Sequence, residues 1–170
     1  MTRIYVNMAL LFLALFLLQV GVLNSIHLFG IATPVVFVYG ILKLPAEMNR
    51  NLVVLLSAFC GLLLDLFTYT LGLNMLALTV VGFSRFYALK FFGPREVFKN
   101  LMPSVSSFGR TQFMIYGGSL LFLNLLVLFG VESLTLFNPL RFILLLLSSF
   151  LLSFLLICLF EIINQGFSGR

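Results

Sequence analysis

The groups in this chain able to do acid–base, nucleophilic or metal chemistry are few and scattered. Its 170 residues hold five acids, ten Lys or Arg, one histidine and two cysteines. Asp65 is the sole aspartate and His27 the sole histidine. An aspartic protease needs two carboxylates that share a proton, and metal-assisted phosphoryl transfer needs several clustered around the ion. A Ser–His–Asp relay would have to be built on His27, in a short loop with no acid near it in sequence. His27 reads instead as an interfacial residue. No glycine-rich phosphate cradle is present. Cys60 and Cys158 lie inside apolar runs without metal-ligand or redox spacing, and read as small packing residues. A membrane enzyme would need a cluster assembled from Asp65, Glu132 and a distant group. The pattern disfavours catalysis and implies no cofactor and no metal.

What remains is a polar stripe. Ser57, Gly61 and Asp65 are four apart and Thr68 follows three later, so all fall on one helical face. Ser57-x-x-x-Gly61 is a small-x-x-x-small pair that lets a second helix approach closely. A carboxylate at mid-membrane costs roughly 2.5–3.5 kcal/mol on insertion scales, so Asp65 is expected to face protein. Two readings are open. In one, Asp65 caps the turn before Leu71-Gly72 or reaches the membrane surface. In the other, it makes a hydrogen bond that locks the fold or holds a partner, with Arg141 as counter-charge and Glu132 as a rival for that arginine. Arg85 reads as a snorkelling cation, with a lipid-phosphate contact as the minority reading. Asn7, Gln19 and Asn124 are candidates for hydrogen bonds between helices. Ser149-x-x-x-Ser153 is a second packing seam, and Glu161 is expected to pair with a basic loop residue.

The elements that position these residues are apolar helices. The chain is 62% hydrophobic and 9% charged, with a mean hydropathy of +1.19. That is far too little charge to cover a soluble surface. About 20 residues at 1.5 Å each cross a hydrocarbon core about 30 Å thick. The apolar runs predict six spans over about 4–23, 31–44, 52–67, 73–92, 111–131 and 140–163, in one membrane domain over 1–170. Span two is short, with Pro34 near its start and Pro45 just past its end; a re-entrant segment is its alternative. The runs do not alternate as barrel strands would. The first span has no charge for twenty residues after Arg3, which favours a retained helix over a cleaved leader. With the N-terminus inside, nine of the ten basic residues fall on the cytoplasmic side and only Arg141 outside. That bias predicts an N-in, C-in topology, and it accounts for the net charge of +5 without a nucleic-acid partner. In the long inner loop over 93–110, Phe98, Leu101, Met102, Val105 and Phe108 recur at near-helical spacing, interrupted by Pro103. This predicts a short segment lying on the membrane surface.

The stretch from Pro34 to about Phe92 resembles the bacterial rod-shape-determining protein MreD family. The residues that carry the likeness are Thr33-Pro34, the span ending in Leu44-Pro45, the run Gly61-Leu62-Leu63-Leu64-Asp65-Leu66, and Leu71-Gly72 leading into span four. Length and six spans also fit. The resemblance implies an all-α, six-helix bundle in the bacterial inner membrane. That family is in turn similar in fold to the substrate-binding membrane subunits of energy-coupling-factor transporters. It also implies a non-enzymatic part of the cell-elongation machinery that builds peptidoglycan. Its partners would be a bitopic MreC-like protein, an MreB-like actin homologue, and the glycosyltransferase and transpeptidase of lateral wall synthesis. On this reading Ser57, Gly61, Asp65, Thr68 and Gly72 are the partner- or helix-packing positions, Pro34 and Pro45 are structural, and Arg141 belongs to an outer ion pair. The alternative is a transport subunit that binds a small solute. That reading predicts a polar, ligand-sized cavity opening outward, for which the sequence offers few lining groups.

Overall fold

The structure is a computed structural model that describes residues 2–21, 33–70, 72–93, 103–133 and 138–168. The described residues form helices α1 (Thr2–Gly21), α2 (Val38–Leu42), α3 (Arg50–Thr68), α4 (Leu73–Phe92), α5 (Val105–Phe108), α6 (Arg110–Glu132) and α7 (Pro139–Ser168), with no strand among them. Four of these, α3, α4, α6 and α7, are long and apolar enough to cross a membrane. The chain is therefore an all-α, multi-pass membrane protein. Helix is the form that lipid selects, because each backbone N–H and C=O must find its partner within the segment.

The helices are inverted relative to soluble ones. In α3 the large residues Leu55, Phe59, Leu62 and Leu66 point outward, while Val53, Ser57, Gly61, Leu64 and Asp65 are buried. In α7 Leu147, Leu151, Leu155 and Leu159 face out, and Ser149, Ser153, Ile157 and Glu161 face in at four-residue steps. Lipid gives no penalty for exposed leucine, so the small and polar side chains mark the protein side.

Helices α3 and α4 form the tightest pair. A Cβ on Gly61 would lie 2.5 Å from the Met75 Cα, and one on Gly82 would lie 2.5 Å from the Ser57 Oγ. The Ser57–Gly61 seam thus receives α4 of the same chain. The Ser57 hydroxyl returns its proton to the Val53 carbonyl at 2.8 Å, so the seam carries no unsatisfied donor. At the far end of the pair the Arg50 guanidinium stacks 3.9 Å from the Phe83 ring centroid and 5.2 Å from that of Tyr87. The turn between the helices uses two left-handed residues, Tyr69 (φ 55°) and Gly72 (φ 76°). Gly72 meets this requirement without steric cost.

The second apolar run differs from its expected form. In place of a helix over 31–44, residues 33–36 are non-helical and α2 is five residues long; 31 and 32 lie outside the described residues. Pro34 is the physical reason, since it supplies no N–H and pushes Thr33 out of the helical region. The segment is nonetheless the most continuously buried stretch among the described residues, with Val36, Val38 and Leu42 fully covered. It runs alongside α7: the Thr33 N–H donates to Ser149 Oγ (3.1 Å), the Val35 N–H to Ser153 Oγ (2.8 Å), and the Tyr39 hydroxyl to Glu161 (2.8 Å). Ser149 to Glu161 is about 18 Å of helix at 1.5 Å per residue. A partly extended chain therefore covers over half the hydrocarbon thickness with few residues. Pro45 follows α2 and its Lys43 C-cap, as expected of a stop.

The expected surface segment is described only in part. Residues 94–102 lie outside the described residues. The described part folds into α5, capped by reciprocal Ser104 and Ser107 hydrogen bonds. Phe108 is buried with its ring 5.7 Å from Tyr116, because a full aromatic ring gains more from the core than from the interface.

Gly61→Val should force α3 and α4 apart and lower the unfolding temperature in detergent markedly, since overpacking costs about 1–3 kcal/mol or more. Gly130→Ala in α6, where a Cβ meets nothing within 4 Å, should leave it unchanged. Equal effects of the two substitutions would contradict the close contact.

Candidate functional site

Polar side chains gather at three places, and each solves a backbone or charge problem. The first is the α3–α4 turn. Helix α4 begins at Gly72, which has no side chain to cap it. Asp65 does so from the preceding helix. Its Oδ1 accepts from the Asn74 N–H (2.9 Å), the Asn74 amide Nδ2 (3.0 Å) and the Thr70 hydroxyl (2.6 Å), and its Oδ2 accepts from the Met75 N–H (2.9 Å). The Asn74 and Met75 N–H groups are otherwise orphaned donors of a first helical turn, and an anion there also complements the helix dipole. Thr68 joins the cluster through Thr70 at 2.6 Å and its own contact to the Leu64 carbonyl at 2.9 Å. Asp65 thus both caps and locks the fold.

The second place is mid-bundle. The Gln19 amide of α1 reads the non-helical segment as a neighbouring strand would: Nε2 donates to the Pro34 carbonyl (3.0 Å) and Oε1 accepts from the Val36 N–H (2.9 Å). With Ser149 and Ser153, it gives partners to each N–H between Thr33 and Val36, proline having none. Non-helical backbone survives at membrane depth only with such support. Buried Asn124 sits in the same core, and its Oδ1 has no partner among the described residues.

The third place lies at the opposite end, around the end of α2. Lys43 and Glu161 form an ion pair at 2.7 Å with side chains 6% and 4% exposed. The Glu161 carboxylate also accepts from the Tyr39 hydroxyl and, at 3.0 Å, from the Val105 N–H. It therefore ties α2, α5 and α7 together. The Lys43 ammonium lies 5.3 Å from the Phe113 ring centroid. Arg85, 2% exposed, donates to the carbonyls of Leu44 and Pro45. It holds the chain just past α2 instead of snorkelling: the Leu44 carbonyl takes its hydrogen bond from Arg85, and the Pro45 carbonyl shares Arg85 with the Met48 N–H.

Between the first two places lies a cavity of about 290 Å³. Thr33 and Pro34 line it, as do Thr70 and Asn74, and Arg141 and Glu132 come from the facing ends of α7 and α6. A second depression shares Glu132 and Arg141 and continues toward Asn138. The buried Thr33 Oγ1 has no hydrogen-bond partner among the described residues.

The structure brings Ser57, Gly61, Asp65, Thr68 and Gly72 together as one helical hairpin, with Pro34 beside it across the cavity. It does not bring Arg141 to Asp65, whose oxygens are taken by Thr70, Asn74 and Met75; Arg141 stands exposed at the cavity mouth instead. Glu161 finds its basic partner in Lys43. The Asn7 side chain, His27 and Leu71 lie outside the described residues. Lys43 and Tyr39 were not legible as site residues. The one available signal was a lysine set between Leu42 and Leu44 with no polar neighbour. Among the described residues no group of His, Cys, Asp and Glu is placed to hold a metal ion.

No protein-family profile, curated protein or solved structure matches the chain.

Glu161→Leu should be strongly destabilising, by about 3–5 kcal/mol, because it strands a buried ammonium. Adding Lys43→Met should restore most of the loss in a detergent unfolding experiment, though not the Tyr39 and Val105 contacts. A double substitution no more stable than Glu161→Leu alone would show that the pair is not coupled.

Proposed function

We propose that the chain is a six-span, non-enzymatic scaffold of the MreD kind in the bacterial cytoplasmic membrane. On this reading α1, the segment over 33–44, α3, α4, α6 and α7 are the crossings, and both termini are cytoplasmic. The observation that carries the reading is the use of the polar groups. Asp65, Gln19, Ser149, Ser153, Glu161 and Arg85 all hold the fold, and none is left as a poised acid, base or nucleophile. A protein built this way offers rigid surfaces, not reactive groups. The resemblance runs through the Asp65-capped hairpin and the Thr33-Pro34 segment, both held by side-chain hydrogen bonds. Its partners are a bitopic MreC-like protein, an MreB-like actin homologue and the wall-synthesis glycosyltransferase and transpeptidase. The lipid-facing leucine and phenylalanine rows of α3 and α7 are surfaces on which membrane helices of such partners can pack by van der Waals contact.

On this reading the Lys43–Arg50 end is the inner one, by the excess of basic residues on that side of the threading, and the Asp65–Thr70 turn is outer. Deleting the gene in its rod-shaped host should give round or enlarged cells, and normal shape with normal wall insertion would count heavily against the scaffold. Topology has its own check. With Cys60 and Cys158 replaced by Ala, Tyr69→Cys at the turn should react with a membrane-impermeant thiol reagent in intact cells, and Glu47→Cys only after lysis. Labelling of both from one side would overturn the threading.

A further inference from the structure

We propose that the cavity beneath Arg141 is a binding site for a small amphipathic monoanion. The ligand has an anionic group at one end, an uncharged polar group at the other and an apolar body between them. Three observations place these parts. Arg141 stands at the mouth and forms no ion pair among the described residues, where the one ion pair is Lys43–Glu161. A guanidinium in that position selects carboxylate or phosphate. Glu132 lines the same mouth and disfavours a second negative charge on the ligand. Deeper along the lining, the Thr33 Oγ1 is buried with no partner among the described residues, an arrangement that costs free energy unless something supplies a hydrogen bond.

The spacing sets the length. The Thr33 backbone is bonded to Ser149, which lies eight residues along α7 from Arg141, or about 12 Å. One carboxylate cannot touch both groups, so the ligand must be elongated. Leu64, Leu128, Phe129 and Leu145 supply the apolar wall. A volume of about 290 Å³ lies at the small end of ligand pockets, which fits a short-chain hydroxy acid. The anionic group has two sources with shared chemistry, a free acid or the headgroup of an anionic lipid. The site stands independently of any wall-synthesis partner.

The chain contains no tryptophan, so Leu128→Trp gives a single reporter in the cavity wall. The purified full chain in neutral detergent, titrated with 6-hydroxyhexanoate, should show a saturable shift in emission. Hexylamine should give none, and hexanoate should bind several-fold more weakly. Arg141→Ala on this background should weaken 6-hydroxyhexanoate at least tenfold, Arg141→Lys less, and Thr33→Val several-fold. The unsubstituted chain should unfold at a higher temperature with 6-hydroxyhexanoate present, which keeps the test valid if the tryptophan disturbs packing. Transfer to discs containing phosphatidylglycerol separates the sources. Loss of the titration there, but not in phosphatidylcholine discs, assigns the site to a lipid headgroup; retention in both assigns it to a free acid. No saturable response in either assay, an equal response to hexylamine, or full affinity in Arg141→Ala would overturn the proposal.

Discussion

A stretch of non-helical backbone inside a lipid-embedded bundle is the constraint around which this structure is arranged. Residues 33–36 lie outside any helix, and non-helical backbone at membrane depth needs partners from the surrounding protein. The side chains of Gln19, Ser149 and Ser153 supply what a helix would have supplied internally. Those three residues fix how α1 and α7 sit against the segment. The α2 end is then fixed by Arg85 from α4 and by the Lys43–Glu161 pair. One irregular segment thereby dictates the positions of three long helices.

The hairpin of α3 and α4 is built on the opposite logic. There the backbones approach so closely at Gly61 and Gly82 that no side chain fits between them, and a single carboxylate closes the turn. Close van der Waals contact and a charged cap replace the hydrophobic effect, which has no force between helices in lipid. Asp65 is thus a costly residue for a membrane protein, held by four donors that would themselves be costly unpaired.

Much of this was legible in the sequence, for reasons that differ by residue. The face shared by Ser57, Gly61 and Asp65 follows from helical spacing and survives intact, and the long helices follow from hydropathy alone. The turn at Asp65 was open between two readings because sequence shows a carboxylate but not its donors; Thr70 and Asn74 come close only once the turn is left-handed at Tyr69 and Gly72. The second segment was harder. Its apolar composition suits a helix or a buried extended chain equally, and what decides is Pro34 together with partners more than a hundred residues away in α7. Lys43 was invisible as a core residue because charge near a helix end is usually solvated, and here α5 and α7 close over it. Charge sorting along the chain orients a membrane protein but says nothing about which cations are buried.

The central claim is that residues 33–36 of the second apolar run are extended within the bundle and held by side chains of α1 and α7. Backbone carbon chemical shifts of Val35 and Val36, measured by NMR on the labelled protein in lipid discs, test it directly. The account predicts extended-chain values, with Cα shifted upfield and Cβ downfield of the random coil. Helical values at both residues would contradict it.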